Sequence, residues 1–332
     1  MMTQGAGSPA ADGALRPPPE AVARFAGDLA PLRAASGPLA LAVSGGPDSL
    51  ALLLLAAAAL PGAVEAATVD HRLRPEAAEE AAAVARLCAR LGVPHRILPV
   101  DVAAGNLQAQ ARAARYAAMA VWMEERGLAA LATAHHADDQ AETLLLRLNR
   151  ASGVAGLAGA RARTVVPGTP LALLRPLLGW RRAELGRIVA DAGVCPACDP
   201  ANTDERFDRA RIRKALASAD WLDVPAIAAS AAHLADADEA LDWAAMREWR
   251  DAVRREPLGM VYAPRAPRAI ALRVMARIFA EMGESPPRGG AIARAFDTLL
   301  LGSPASVGEG IVRPGPAGWS FARAPRRRNT AG

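Results

Sequence analysis

The 332-residue chain is poor in several features that would announce a class of protein. Its three cysteines, Cys88, Cys195 and Cys198, cannot build a disulfide scaffold and fit a reducing cytoplasm. No apolar segment is long enough to span a membrane; the longest run, Leu50 to Val64, is interrupted by Pro61 and reads as a buried helix. The start lacks a charged region followed by such a segment. The G-x-x-x-x-G-K-[ST] and G-x-G-x-x-G patterns are both missing, which excludes a Walker loop and a dinucleotide fingerprint. No H-x-x-x-H or H-E-x-x-H spacing offers a helical zinc site, and the single C-x-x-C, Cys195 to Cys198, lacks the second pair of a four-thiolate site. Lysine is nearly absent: Lys214 is the only one among 39 basic residues. That preference for arginine fits either a compositional bias or a polyanionic partner.

What is present points to a globular enzyme. An apolar content of 52% supports a large core, and the length suggests two units. The formal charge of +5 is compatible with a nucleic-acid partner without requiring one. The most informative segment is Ser44-Gly45-Gly46-Pro47-Asp48-Ser49, set between the apolar run Leu39 to Val43 and the apolar helix Leu50 to Leu60. Strand, glycine-rich turn and helix in that order make an anion site, because the glycines let backbone approach the ligand and the helix start presents free amides. Asp48 beside such a nest is repelled by phosphate unless a divalent cation lies between them, so a magnesium-bridged nucleotide is the economical reading. The bland alternative is a capped helix after a turn.

Short apolar runs alternate with longer helical ones over the first two thirds of the chain. The spacing predicts strands at 39–43, 64–69, 94–100, 128–134 and 171–174, with helices at 49–60, 75–91, 106–126, 137–150 and 181–190. This is an α/β class pattern: an open, mostly parallel sheet with helices on both faces. We divide the chain into a loose leader over 1–19, a catalytic nucleotide-binding domain over 20–222, and a helical linker with a smaller helical lobe over 223–332. Within that lobe helices are expected at 225–255, 269–282 and 291–300, and the remainder reads as loose. The segments Ser44–Ser49, Asp70-His71 and His135-His136 each follow a strand's carboxyl end, and such ends converge on one crevice in a sheet of this kind.

Around that crevice His135-His136-Ala137-Asp138-Asp139-Gln140-Ala141-Glu142-Thr143 carries more groups able to bind protons, metal or phosphate than a helix cap requires. Asp138 and Asp139 also suit a helix start, so capping is the competing reading. Glu142 can face the crevice while Leu144, Leu145 and Leu148 pack elsewhere. Arg112 and Arg115, followed by Tyr116, share a helix face, as do Arg209 and Arg213; each pair is either a clamp for a phosphate-bearing ligand or an ordinary solvated surface. Cys88 could join Cys195 and Cys198 in an iron–sulfur site only if the fold brought them together.

Taken together, these motifs, with Asp70-His71-Arg72-Leu73-Arg74, Asn106-Leu107-Gln108, Arg175-Pro-Leu-Leu178, Asp199-Pro-Ala-Asn202 and Arg209-Ala-Arg-Ile-Arg213, resemble the tRNA(Ile)-lysidine synthetase family of PP-loop ATP pyrophosphatases. The resemblance covers about residues 35 to 220. It implies an adenine nucleotide alpha hydrolase-like fold and a cytoplasmic ligase. This ligase uses ATP and Mg²⁺ to adenylate the C2 oxygen of the wobble cytidine in a CAU-anticodon tRNA(Ile), then joins free L-lysine to C2. Carried over by position, it places Ser44, Gly45, Gly46, Pro47, Asp48 and Ser49 on pyrophosphate, with Asp48 on magnesium, and Asp70 and His71 at the adenosine. It also implies catalytic work for Asp48, Asp138, Asp139, Arg112 and His135, and substrate contacts for Arg112, Arg115, His136, Arg209 and Arg213.

Three positions depart from the family pattern. Ala151 stands where glycine is usual, Ala160 where methionine is common, and Ala201 where serine is frequent. A methyl group at 151 matters if that turn needs a left-handed residue. The rival readings are a tRNA thiolation enzyme of the same class, which would use the cysteines, and a small-molecule amide-forming synthetase. A nonenzymatic nucleic-acid-binding module would explain the arginines but not the three aspartates.

Overall fold

The computed structural model describes residues 15–34, 37–72, 76–101, 107–197, 208–283 and 290–323. Most of the leader, Asn106, Cys198, the Asp199–Asn202 motif with Ala201, and the terminal arginines Arg326 to Arg328 lie outside the described residues. The chain divides into two units, 1–235 and 236–332, and the division falls inside the helix Val224–Ala252.

The first unit is built on a six-stranded sheet of order β3-β2-β1-β4-β6-β5. Its strands are β1 (Leu39–Ala42), β2 (Val64–Asp70), β3 (His95–Pro99), β4 (Ala130–Ala132), β5 (Arg163–Val165) and β6 (Ala172–Leu174). All neighbours pair in parallel except the edge strand β5, which runs antiparallel to β6. The helices are α1 (Pro19–Leu29), α2 (Pro47–Ala59), α3 (Ala77–Arg90), α4 (Leu107–Arg126), α5 (Ala137–Leu148), α6 (Val154–Leu157), α7 (Arg182–Asp191) and α8 (Asp208–Ser218).

Because α2 is apolar all round, with every residue from Leu50 to Ala56 buried, it cannot sit at the surface. It packs with Phe25, Leu29, Leu185 and Ile188 in one core, while Tyr116, Met119, Trp122 and Met123 of α4 build the second core with Leu98 and Leu131. Helices therefore cover both faces, as a parallel sheet requires. Ordered packing begins before residue 19: Leu15 is buried in the first core, so the leader is not loose up to its expected end. The chain order reverses at β1, which lies between β2 and β4, and the loops after β1 and β4 open side by side at that switch point.

The second unit corrects the expectation of a purely helical lobe. Helices Arg268–Glu281 and Ala291–Leu300 are present, but so is a five-stranded antiparallel sheet. Its strands are Val253–Glu256, Gly259–Tyr262, Ala305–Val307, Gly310–Gly315 and Gly318–Arg323. Tyr262, Met275, Ile278, Phe279 and Phe321 form its separate core. The strands escape a sequence reading because they are short and punctuated by glycine and proline. Yet Trp319 and Phe321 alternate inward with exposed Ser320, which is a strand signature.

The turn at Ala151 bears on stability. Ala151 adopts φ +50°, its amide bonds to the Leu148 carbonyl, and the Ser152 amide bonds to the Arg147 carbonyl. This is a Schellman ending with alanine where glycine is favoured. Ala151→Gly relieves the left-handed strain but adds freedom to the unfolded chain, so a net stabilisation of about 0.5 kcal/mol is expected in urea unfolding. A loss of stability would contradict the strain. Ala160 contributes only backbone: its amide and carbonyl meet the Gln140 side chain at 2.8 and 2.9 Å, contacts indifferent to the side chain at 160.

Candidate active site

The loop after β1 is closed by its own atoms. Gly45 holds φ +86°, and its carbonyl accepts the Ala197 amide at 2.9 Å. The Ser49 hydroxyl donates to the Gly46 carbonyl at 2.9 Å and accepts the Ser44 amide at 3.1 Å, with the Ser44 hydroxyl 3.2 Å away. Ser49 is buried, so its hydroxyl shapes the turn. Gly46 precedes the first turn of α2 and Pro47 opens it, which leaves the early amides of that turn without helical partners. Those amides are the donors that an anion at this helix start would meet.

Beside the loop, His136 begins α5 and stands among three carboxylates. Its Nε2 lies 3.4 Å from Asp48 Oδ2 and 3.6 Å from Asp139 Oδ2, and its Nδ1 lies 3.7 Å from Asp138 Oδ2. Neither ring nitrogen has a well-formed hydrogen bond, so these are close ionic contacts. Burial alone would lower the His136 pKa, but the close carboxylates of Asp48 and Asp139 outweigh it, and the pKa is raised. His136 thus stands within 3.6 Å of both Asp48 and Asp139, and their carboxylates favour its protonated form. Asp139 also accepts the His136 amide at 3.2 Å, so capping and cluster formation use the same residue.

Asp138 is tied elsewhere. Its carboxylate accepts the Arg182 amide at 2.8 Å and pairs with the Arg181 guanidinium at 3.2 Å, which caps α7 and fastens it to α5. Burial would raise its pKa, yet those bonds hold it below the usual carboxylate range. Glu142 does not open to the crevice: it is 1% exposed and accepts Arg213 Nε at 2.9 Å, with Arg182 at 3.5 Å. Arg209 reaches the Thr143 hydroxyl at 3.4 Å. The 209–213 arginines therefore hold α8 against α5.

A cavity of about 540 Å³ lies at the switch point. Of the residues singled out in the sequence, Ser44, Gly46, Pro47, Asp48 and Ser49 line it on one side. His71, Arg112, Arg115, His135 and Asp139 complete the lining from that set. Gly45, Asp70, Asp138, His136, Arg209 and Arg213 are not among the lining residues. Asp70 turns to its own loop, where it accepts the Arg72 amide at 2.9 Å. Sequence reasoning did not single out Thr68 and Thr133, which also line the cavity, or the Arg181-Arg182 pair. The arginine pair carried a signal, since two cations at a helix start oppose its dipole unless a carboxylate waits there.

On the basic side, Arg115 Nη2 lies 3.3 Å from His71 Nε2. Arginine can only donate, so that nitrogen accepts and His71 is neutral, consistent with a pKa lowered by burial and by Arg115. His135, 3.0 Å from the Thr133 hydroxyl through Nδ1, is pushed down to about 4 by burial, then by Arg175, Arg112 and Arg209 against Asp139. The unfolded chain takes up this proton near pH 6.5 and the folded one near 4, so stability rises with pH across that window. Acidifying from pH 7 to 5 should cost about 1–2 kcal/mol from this residue, and His135→Gln should lose that part of the slope in urea titrations. Equal slopes would remove His135 from the account.

Comparison with known proteins then settles the family. The PP-loop domain family matches residues 21–219. The tRNA(Ile)-lysidine synthase of Novosphingobium aromaticivorans is 49% identical over 315 residues, 93% of this chain and 95% of that protein. The tRNA(Ile)-lysidine synthase of Zymomonas mobilis is 42% identical over 300 residues, 88% and 90% of the two chains. The chain belongs to the tRNA(Ile)-lysidine synthase family. Membership implies that the chain binds ATP and acts on a tRNA. Among solved structures, the U34-tRNA thiolase NcsA from Methanococcus maripaludis shares the fold, with a TM-score of 0.54 at 15% identity over 64% of this chain and 76% of that one.

The thiolation reading draws on Cys195 and Cys198, and Cys198 lies outside the described residues. Cys88 is fully buried in the first core with its thiol pushed up to about 12 by burial, while Cys195 is exposed. Among the described residues no three metal-ligating side chains form a cluster, and no helix is long and apolar enough to cross a membrane.

Proposed function

We propose that this protein makes lysidine in the cytoplasm by adenylating the C2 oxygen of the wobble cytidine in a CAU-anticodon tRNA(Ile) and joining free L-lysine there. An amide-like oxygen is a poor leaving group, so C2 becomes open to an amine only after that oxygen is esterified to AMP. In the first step the cytidine oxygen attacks the α-phosphorus of ATP and pyrophosphate leaves. In the second, a lysine amine attacks C2, AMP departs with the oxygen, and the amine loses a proton. The closed loop from Ser44 to Ser49 binds the departing pyrophosphate through its amides. Arg112 and Arg115 face it across the cavity and position phosphoryl oxygens, with His71 near the adenosine.

A Mg²⁺ ion fits the acidic side. Asp48 Oδ1 is buried without a hydrogen-bond partner, and Asp48 and Asp139 both face the cavity. Magnesium takes one or two carboxylates plus substrate phosphates, so a three-residue cage is not needed. Held there, it would neutralise pyrophosphate charge. His136 and Asp138 act behind these carboxylates as positioning residues, and neutral His135 offers a hydrogen bond to substrate.

The unit after residue 235, with the linker from 223, adds contacts to the tRNA. Arg247 lies 5.0 Å over the ring of Trp243, which is 62% exposed, a pairing suited to an RNA surface. Arg209 and Arg213 serve the tRNA through the placement of α8.

The observation that carries this reading is a closed phosphate loop sharing one cavity with Asp48, Asp139 and Arg112 in a chain of this family. Pyrophosphate release tests it. Release should require the CAU-anticodon tRNA(Ile) and should become multiple-turnover when lysine is added. Release without tRNA would favour a small-molecule synthetase, and dependence on a sulfur donor would favour thiolation.

A further inference from the structure

Arg175 is the buried cation that the reaction scheme leaves unused. It follows β6, is 6% exposed, and among the described residues no carboxylate pairs with it. Its Nη1 donates to the Arg161 carbonyl at 2.7 Å and its backbone amide to the Ala162 carbonyl at 2.8 Å, while Nε has no hydrogen-bond partner. It lies beside the Tyr116 hydroxyl and within electrostatic reach of Arg112 and His135, and these three residues line the cavity. A guanidinium taken out of water, next to other cations and without a counter-ion, is costly to keep. Arg112 and Arg115 line the cavity together with Asp48, Asp139 and Glu80, and Arg112 acts electrostatically on both Arg115 and Arg175. A fold that retains such a charge gains from it when an anion arrives.

We infer that Arg175 is a positioning residue that makes the wall of Arg112, Tyr116 and His135 an anion subsite for a phosphoryl group. It does not reach the cavity itself, so it acts through those three side chains. The inference rests on reading this cavity as the adenylation site. The phosphoryl oxygen comes either from the AMP part of the nucleotide or from the RNA backbone, and the same charge serves both.

The test measures binding and stability of the full chain without turnover, using AMP alone and unmodified tRNA(Ile) transcript alone as probes. Arg175→Met keeps the length and removes the charge. It should leave the thermal midpoint of the free protein unchanged or raised, because replacing a buried unpaired charge by apolar volume is often stabilising. Affinity for AMP should fall about tenfold, with Arg175→Lys recovering most of it. Loss confined to AMP assigns the subsite to the nucleotide, and loss confined to tRNA assigns it to the RNA backbone; either supports the subsite. Unchanged affinity for both probes overturns it, even if the midpoint drops, because that outcome describes a purely structural arginine. Should Arg175→Met fail to fold, Arg175→Lys against Arg175→Gln decides: weaker binding in the glutamine variant alone supports the inference, and equal binding overturns it. Neither readout depends on lysidine formation, so failure of the lysidine reading and failure of this one are separable.

Discussion

Asp48→Ala should lower tRNA-dependent pyrophosphate release by about 10²- to 10³-fold while changing tRNA affinity by less than about threefold. The expectation follows from where the two oxygens of Asp48 lie. Oδ1 is buried without a protein partner, and Oδ2 lies 3.4 Å from His136. One oxygen is thus spent on holding the neighbouring histidine, and the other is kept for a cation. Alanine removes both, so phosphate binds against uncompensated charge and the His136 pKa drops toward its ordinary range. The fold should survive, because Asp48 is half-buried at a helix start and contributes no packing to either core. Asp48→Asn separates the roles: it preserves shape, loses the negative charge, and should be nearly as inactive as alanine. Rates within threefold of wild type for either variant, with circular dichroism unchanged, would remove Asp48 from the reaction.

Glu142→Ala should cost about 2 kcal/mol of stability and loosen α8. Glu142 is 1% exposed and shares one carboxylate oxygen between Arg213 and Arg182, so its removal takes a buried carboxylate from two guanidinium groups, of which Arg182 keeps Asp139 at 3.9 Å. A fully enclosed pair would cost more, but the Arg213 side chain is 33% exposed and regains some water. Glu142→Gln keeps an acceptor for Arg213 Nε and should cost about half as much. A urea midpoint for Glu142→Ala equal to that of wild type would mean that α8 is held by other contacts. The same variant should weaken tRNA binding more than ATP binding, because α8 carries Arg209 and Arg213 whereas the phosphate loop lies on α2.

The sequence was most readable where local chemistry and topology agree. The apolar strand, the turn with Gly45 and Gly46, and the all-apolar helix after it fix a strand–turn–helix unit with little help from the rest of the fold. His135 through Asp139 could be placed at a strand end because Ala130–Ala132 precedes them and α5 follows. Finer assignments depended on partners that sit far away in the chain. Asp138 has the same residue type and nearly the same position as Asp139, yet Arg181 and Arg182, more than forty residues on, draw it into a helix cap. Periodicity lets Glu142 face the crevice, because it gives a face but not the arginine that covers it. Spacing on a helix likewise could not distinguish an arginine clamp from a lock on a neighbouring helix, and Arg213 is the lock.

The antiparallel sheet of the second unit was missed for a different reason. Its strands contain Gly310, Pro314, Gly315 and Gly318, residues that normally mark breaks, and the sheet tolerates them at its turns. Ala151 shows the opposite case. The departure from glycine raised the question of a left-handed turn, and the backbone there does adopt one.

The most direct test of the whole account is mass spectrometry of nucleosides from an unmodified CAU-anticodon tRNA(Ile) incubated with the protein, ATP, Mg²⁺ and lysine. The account predicts a cytidine heavier by lysine less water, formed only when both ATP and lysine are present and lost with Asp48→Ala. A sulfur-sized gain, or no change in the tRNA while ATP is consumed, would contradict it.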